Sequence, residues 1–337
     1  MPPAPSAAAT IAQMSSGYWV SQALYVAAKL GIADLVTSGP KSIDELAMES
    51  GANRHALYRL LRALASLGIF AETHGARFEL TPLAQPLRSD VAESKRAMVL
   101  MACEEQYRAW GELLYSVTTG KKGFDRVFGK PIFDYLAERP EQAALFDAAM
   151  VSIHGGETPA MLDVYDFSSL RTLADIGGGN GSVLLAILKK HPQLRGILYD
   201  LPNVIGRAEK NVAAAGIRDR CQLLRGSFFE SVPGGADAYL MRHIIHDWDD
   251  EQSLTILRNI HRAAPSGGRL LLVEYVIEPG NHPDFGKLLD LTMLVIPGGQ
   301  ERTADEYRTL LAAAGFDLQR MIPTAAEVSI LEAVRVG

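Results

Sequence analysis

The run Ala174-Asp175-Ile176-Gly177-Gly178-Gly179-Asn180-Gly181 constrains this chain more than any other stretch. Apolar residues lead into it and helix-forming residues follow. This predicts a strand over 171–176, a glycine turn and a helix over 182–190, the first βα unit of a doubly wound sheet. Glycine is required where a turn needs positive φ and where a ligand must approach the backbone closely, because a Cβ would obstruct both. The dinucleotide fingerprint requires G-x-G-x-x-G, yet the third position counted from Gly177 and Gly179 is Ser182. The chain offers G-x-G-x-G instead, completed by Gly181. That spacing suits a ligand without a pyrophosphate, such as S-adenosylmethionine.

The segment 195–200 reads as the next strand and sets Asp200 at its carboxyl end, 23 positions after Gly177. An acid there accepts hydrogen bonds from a ribose diol, whether of NAD or of S-adenosylmethionine. The same residue also suits the N-cap of a helix opening at Pro202. Further strands are predicted over 221–224, 238–245 and 269–276, with a terminal pair near 318–322 and 328–334. Strands alternating with helices in this way define an α/β fold.

A chain of 337 residues exceeds the usual size of one domain, and 48% hydrophobic content lets it bury a sizeable core. Ahead of the α/β part, helical periodicity over 11–30 puts Ile11, Met14, Trp19, Leu24, Ala27 and Ala28 at apolar positions. Ser42 and Glu45 make a capping box, and Asn53 caps a helix carrying Leu57, Leu60, Leu61 and Leu64 on one face. Two short strands, 68–70 and 77–80, then flank Gly75. Helix, helix and β-wing form a winged-helix pattern, which raises the possibility of a DNA-binding regulator. Residues 40–90 carry six basic and six acidic side chains, leaving no surplus to neutralise phosphates, so the pattern reads as a dimerisation scaffold.

The net charge of −6 likewise excludes a broad nucleic-acid or acidic-membrane surface. No apolar run reaches transmembrane length. Cys103 and Cys221 lack metal-ligand spacing and fit free thiols in a reducing compartment. The Pro/Ala-rich start, Met1 to Thr10, lacks the features of a signal peptide and reads as a frayed tail on a soluble cytoplasmic protein. Between the winged-helix pattern and the glycine turn the chain is helical, with Trp110, Phe128, Phe133, Tyr135, Phe146 and Met150 as its large apolar side chains. Most of these suit a core, and some suit the wall of a pocket for a flat molecule. The expected division is 11–100 for the winged-helix-like dimerisation domain, 101–165 for a helical linker and pocket segment, and 166–337 for the sheet domain.

The second informative stretch is Arg242-His243-Ile244-Ile245-His246-Asp247-Trp248-Asp249-Asp250-Glu251. A strand ending there delivers His246 to the carboxyl edge of the sheet, on the side of the glycine turn. A histidine so placed is a candidate general base. His243 competes with it, but on a regular strand three positions would turn it to the opposite face. The acids nearby invite a magnesium reading. Asp249 and Gln252 fit a helix N-cap better, with Asp250 and Glu251 complementing the helix dipole, so no metal is expected.

Taken in order, Asp-Ile-Gly-Gly-Gly-Asn-Gly (175–181), Tyr-Asp-Leu-Pro (199–202), Gly-Ser-Phe-Phe (226–229), Arg242 with His246-Asp247-Trp248, and Pro-Gly-Gly-Gln-Glu-Arg-Thr (297–303) resemble S-adenosylmethionine-dependent O-methyltransferases of the plant caffeate/flavonoid type. Bacterial members of that family act on secondary metabolites. The resemblance covers nearly the whole chain, including an N-terminal winged-helix dimerisation domain, and implies a homodimer through that domain. It implies that Gly177, Gly179 and Gly181 cradle the cofactor, that Asp200 and Leu201 hold its ribose, and that Ser227, Phe228 and Arg242 lie at its adenine end. Many relatives have an acid where Ser227 stands. His246 matches the family's catalytic base, and Glu274 and Glu301 match the acids that flank it.

Phe146, Met150, His154, Asp247 and Met293 fall on segments that line the family's acceptor pocket, although a surface-loop position is an equal reading of His154. Ile296 stands where many relatives have asparagine, which makes the pocket more apolar. The implied activity is methyl transfer to a hydroxyl of a small aromatic or polyketide-like molecule. N-methylation, a cofactor-retaining decarboxylase or hydroxylase, and a winged-helix ligand-binding regulator are the alternatives. Retention of His246 favours methylation over the decarboxylase or hydroxylase, which tend to lose that histidine.

Overall fold

A computed structural model describes residues 6–337. The chain forms two compact units: residues up to Arg108 with Pro140–Ile153, and Ala109–Arg139 with His154–Gly337.

In the first unit the expected continuous helix is two helices, Ala7–Ser15 and Gly17–Lys29. The break at Ser16 has a local cause. The hydroxyls of Ser15 and Ser16 both donate to the Ala12 carbonyl, at 2.9 and 3.1 Å, a side-chain bond that competes with helix continuation. The frayed tail expected over 1–10 does not hold for residues 6–10: Ser6 caps the helix that starts at Ala7, and residues 1–5 lie outside the described residues. Only Ala27 and Ala28 are buried in the second helix, while Ile11, Met14 and Trp19 are 66%, 72% and 65% exposed.

The helices of the rest of the unit follow their sequence signals, and the strand 77–80 falls as expected. The strand expected over 68–70 is instead Phe70–Thr73, because the N–H groups of Gly68 and Ile69 still bond back to the helix end at Ala65 and Leu64. A further strand forms at Lys41–Ser42. Ser42 and Glu45 complete a capping box on helix Ile43–Ser50, and Asn53 accepts from the Ala56 N–H to start helix Arg54–Ser66. That helix buries Leu57, Leu61 and Leu64 among Ile32, Ile43, Leu46, Phe70 and Phe78. Strands β1 (Lys41–Ser42), β2 (Phe70–Thr73) and β3 (Arg77–Leu80) pair antiparallel in the order β1-β3-β2, and Gly75 takes φ +80° in the wing turn.

The second unit contains β4 (Thr172–Ile176), β5 (Arg195–Asp200), β6 (Cys221–Arg225), β7 (Ala238–Arg242), β8 (Arg269–Glu274), β9 (Phe316–Pro323) and β10 (Ser329–Arg335). They make one sheet in the order β6-β5-β4-β7-β8-β10-β9. The first five run parallel, and β10 is antiparallel to both neighbours. Strand order reverses between β4 and β7, so the loops leaving those two strands open side by side at the carboxyl edge, the usual place for a ligand in such sheets. Both faces are covered: Leu173, Leu198, Leu240 and Val273 sit in one core, and Ala174, Ile176, Tyr239 and Leu272 in the other. This explains the near-continuous apolar runs of the central strands.

Strand β7 ends at Arg242, three residues before the expected end. His243 adopts φ +52°, a left-handed conformation uncommon outside glycine, and a 3₁₀ turn over Ile245–Asp247 carries His246. The expectation that His243 and His246 face opposite sides is therefore wrong. Strand alternation stops at Arg242, and the two imidazoles lie 5.1 Å apart between ring centres.

Candidate active site

The glycine turn has the conformation its composition requires. Gly177, Gly179 and Gly181 take φ +71°, +58° and +79°. A Cβ on Gly177 would lie 2.6 Å from Ile244 Cδ1, and one on Gly178 would meet Asp175 Oδ2 at 2.5 Å. A Cβ on Gly179 would meet nothing within 4 Å, so that glycine borders open space. Gly181 precedes helix Ser182–Lys190, whose first N–H groups point back toward the turn.

Asp200 does not cap the helix Pro202–Ala214. Leu201 occupies the N-cap position, and the Asp200 carboxylate accepts from the N–H of Gly179 at 2.9 Å and of Leu201 at 2.7 Å. The carboxylate is thereby fixed against the glycine turn. Open space at Gly179 and an anchored acid beside it fit the ribose and amino-acid parts of S-adenosylmethionine. Ser227 Oγ accepts from the Phe229 N–H, and Phe228 packs 6.1 Å from Trp248, with its Cε1 3.4 Å from a Cβ built on Gly177.

Asp175, in the strand below the turn, is an acid the sequence reading left without a role. It is 2% exposed, its Oδ2 has no hydrogen-bond partner, and burial pushes its pKa up to about 7, partly offset by Arg242.

Across the switch point the loop after β7 gathers ionisable groups. His246 is 7% exposed, and its Nδ1 donates to Glu301 Oε1 at 2.7 Å. That bond fixes the tautomer and leaves Nε2 as the basic nitrogen, 3.6 Å from Asp247 Oδ1. Glu274 is fully buried. Its Oε1 accepts from the N–H of Ile244 and Ile245 at 3.1 and 2.9 Å, and its Oε2 lies 3.8 Å from His246 Nδ1. Burial alone would lower the His246 pKa, but Glu274, Asp247 and the bond to Glu301 outweigh it and push the value up to about 10. Burial raises Glu274 to about 7 and Asp247 to about 6, each moderated by His246.

Arg302, also buried, holds the loop in place. Its guanidinium donates to the carbonyls of Ile245 and Trp248 and to Asp250. A Cβ on Gly299 would collide with the His246 carbonyl, which accepts from the Gln300 N–H at 2.9 Å.

A second cluster lies behind the first and was missed from the sequence. Glu157 is 5% exposed and accepts from His154 Nδ1 at 2.8 Å and from His243 Nε2 at 2.9 Å. Arg242, expected at the adenine end, donates to Thr158 Oγ1 at 3.2 Å and lies 3.5 Å from Glu157 Oε2. His154 is thus a buried helix-end residue, contrary to the surface-loop reading. Two histidines and a glutamate would suit a transition metal by type. Here a ring nitrogen of each of His154 and His243 is engaged by the Glu157 carboxylate, the rings are stacked at 4.0 Å and 28°, and a guanidinium stands beside that carboxylate. Of the acids after His246, Asp249 caps the helix Asp250–Ala263 and Asp250 binds Arg302.

Met293 is buried in the helix Phe285–Val295, and Phe133 packs 5.8 Å from Trp248. Phe146 and Met150 are half-buried on the helix Pro140–His154, whose length up to Ile153 belongs to the first unit. Among the described residues no helix is long and apolar enough to cross a membrane.

Residues 110–317 match an O-methyltransferase domain, and residues 12–90 match an O-methyltransferase dimerisation domain. The chain belongs to the S-adenosylmethionine-dependent O-methyltransferase family. It is 51% identical over 321 residues to the phenazine O-methyltransferase PhzM of Lysobacter antibioticus, covering 95% of this chain and 94% of that one. It is 32% identical to the phenazine-1-carboxylate N-methyltransferase of Pseudomonas aeruginosa, covering 98% of each. Among solved structures it resembles the O-methyltransferase NcsB1 from neocarzinostatin biosynthesis in complex with S-adenosylmethionine and 2-hydroxy-5-methyl naphthoic acid. The TM-score is 0.86 and the identity 33%, over 94% of this chain and 96% of that one.

Proposed function

We propose that this enzyme methylates a hydroxyl on a fused-ring aromatic secondary metabolite, with His246 as the general base. The observation that carries the reading is the His246 geometry: Nδ1 is pinned to Glu301 at 2.7 Å, so Nε2 is the nitrogen that exchanges a proton with an acceptor at the carboxyl edge of the sheet. S-adenosylmethionine supplies an electrophilic methyl group whose sulfur departs as a neutral thioether. The protein orients the acceptor and removes its proton, and positioning is worth as much as base catalysis or more. Glu301 orients the imidazole, and Glu274 and Asp247 stabilise the imidazolium formed when His246 accepts the hydroxyl proton.

Gly177, Gly179, Gly181, Asp200 and Leu201 serve the amino-acid and ribose parts of the cofactor, and Ser227 and Phe228 its adenine. Arg242 is engaged first by Glu157 and Thr158. Met293 and Asp247 are assigned to the acceptor, as are Phe146 and Met150 by family resemblance alone. The linker role of 101–165 rests on the same resemblance.

Support for an aromatic acceptor comes from the relatives, which act on phenazines and bind a naphthoic acid. An N-methylating relative at 32% identity keeps nitrogen in play as the accepting atom. Incubating the enzyme and cofactor with hydroxylated and amino-substituted phenazines, naphthoates and quinones, and reading the attachment atom by mass spectrometry and NMR, decides between them. Methyl on oxygen is expected. Methyl on nitrogen alone would overturn the reading. We further propose a homodimer through the first unit, consistent with the dimerisation-domain match and the exposure of Ile11, Met14 and Trp19. A fully active monomer at micromolar concentration in light scattering would exclude it.

A further inference from the structure

The His246 ring is steered by one hydrogen bond, from Nδ1 to Glu301 Oε1 at 2.7 Å, so the aim of the imidazole depends on what holds Glu301. The two glutamates beside the ring are held in different ways. Glu274 is pinned through its own carboxylate, whose Oε1 accepts from the N–H groups of Ile244 and Ile245. Glu301 has no such clamp. Its Oε1 is the atom that meets His246, and its Oε2 is buried with no partner among the described residues. A flexible side chain whose only bond goes to the group it must steer cannot fix that group alone. Its placement has to come from the backbone.

That backbone is tied down at three successive residues. Glu301 follows the helix Phe285–Val295 by a five-residue connection, Ile296 to Gln300, which includes Gly298 and Gly299. At its end the Gln300 N–H donates to the His246 carbonyl at 2.9 Å, and the Arg302 carbonyl accepts from the Ile277 N–H at 3.0 Å. Between them the N–H of Glu301 itself donates to Asp290 Oδ1 at 2.9 Å. The outer two bonds are backbone to backbone. The middle one depends on a side chain, and that side chain belongs to the helix. Glu301 is 4% exposed, so water offers its N–H no ready substitute, and an unpaired donor there is unfavourable.

Asp290 lies one turn ahead of Met293, and positions three apart share a face of a helix. The Met293 carbonyl also accepts from the Gly298 N–H at 2.8 Å. The helix face assigned to the acceptor therefore also holds the backbone of the residue that steers the base. Placing both on one rigid element fixes their separation.

We propose that Asp290 is a positioning residue for methyl transfer: by holding the Glu301 N–H, it registers the His246–Glu301 pair against the helix that presents Met293 to the acceptor. The useful property is an acceptor oxygen rather than a charge. Burial pushes the Asp290 pKa up, the bond from the Glu301 N–H draws it back, and the carboxylates of Glu301 and Glu306 repel the ionised form. No proton or electron pair changes place at Asp290. The proposal rests on the assignment of His246 as the base.

The test is kcat at saturating cofactor on a weakly acidic phenol, for Asp290→Ala, Asp290→Leu and Asp290→Asn, each alone and combined with His246→Ala. Leucine fills the volume of the aspartate without an acceptor, and it replaces the alanine variant if that one does not fold. Loss of the acceptor should lower kcat about tenfold, a part of the roughly 10²–10⁴-fold that a general base supplies. S-adenosylhomocysteine affinity in calorimetry and KM for the acceptor should stay within a few-fold of wild type. Asparagine keeps an oxygen in the same place and should restore most of the rate. Because Asp290 acts through His246, its substitution should cost nothing further once His246 is alanine, and should cost less on an acceptor acidic enough to ionise unaided. An equal loss in both backgrounds would show a merely structural role and overturn the proposal. So would an unchanged rate in folded Asp290→Ala or Asp290→Leu, or an asparagine variant as slow as they are. His246→Ala alone separates the two claims. If it keeps wild-type turnover, the base assignment itself fails. If it is slow and the loss from Asp290 persists in its background, only the role of Asp290 fails.

Discussion

The two loops that meet at the carboxyl edge of the sheet solve the same problem by opposite means. The turn after β4 is shaped by backbone alone. Three positive-φ glycines and one anchored acid, Asp200, set its course and leave open space at Gly179. The loop after β7 bends at a histidine in the same left-handed region, and side chains recruited from far away hold it there. Glu157 precedes that histidine by 86 positions, and Glu274 and Arg302 follow it, with Glu301 55 positions beyond His246. A glycine turn accommodates positive φ without strain. A strained histidine needs a surrounding network to over-determine it. The first arrangement suits a cofactor that must lie close to the chain, and the second suits a residue whose protonation state has to be controlled.

This contrast predicts that the loops fail differently. The largest effect should come from His246→Ala, with a rate loss of roughly 10²–10⁴-fold on an ordinary phenol and nearly unchanged S-adenosylhomocysteine binding in calorimetry. The loss should shrink for acceptors acidic enough to ionise unaided. Near wild-type turnover of a weakly acidic phenol would show that positioning alone drives the reaction and that the two loops are not divided between binding and proton removal.

Asp200→Ala should show the reverse signature. Removing a hydrogen-bonded acid of this kind costs about 1–3 kcal/mol, expected in cofactor affinity, while the rate at saturating cofactor stays within a few-fold of wild type. A variant that binds cofactor normally but turns over slowly would place Asp200 with the proton-handling groups instead.

How much of each loop could be read from the sequence follows from the same contrast. The helix Ser182–Lys190 and strand β5 fall where the pattern put them, because glycine spacing and apolar runs are local signals. The winged-helix elements were legible for the same reason, through the Ser42/Glu45 box and the Asn53 cap. The bend at His243 was not. Nothing local marks a histidine for positive φ, and the period-2 rule extended the strand to residue 245, past its true end at Arg242. Glu157 carried no signal either, since it lies in a helix and its partner His243 is brought to it only by the fold. The break at Ser16 was legible in principle: adjacent serines can bond back to the Ala12 carbonyl, and helical periodicity alone takes no account of that.

The smallest effect should come from Gly179→Ala, and it bears on why that position is glycine. Two reasons are available: the left-handed backbone, φ +58°, and the need to keep the cofactor space clear. Because a Cβ there meets nothing within 4 Å, packing adds no penalty, and the cost to folding is the conformational one alone, about 1–2 kcal/mol. In a unit of this size that corresponds to a fall in Tm of a few degrees, on the order of 2–8 °C. Gly178→Ala makes the internal control. Its Cβ would run into Asp175 at 2.5 Å, so it should destabilise more while leaving the open side of the turn unobstructed. If Gly179 is glycine for the cofactor's sake, Gly179→Ala must weaken S-adenosylhomocysteine binding beyond what its small loss of stability explains. Unchanged affinity in a well-folded Gly179→Ala would leave backbone conformation as the only reason for the residue, and the turn would then be less purely a binding device than its contrast with the histidine loop implies.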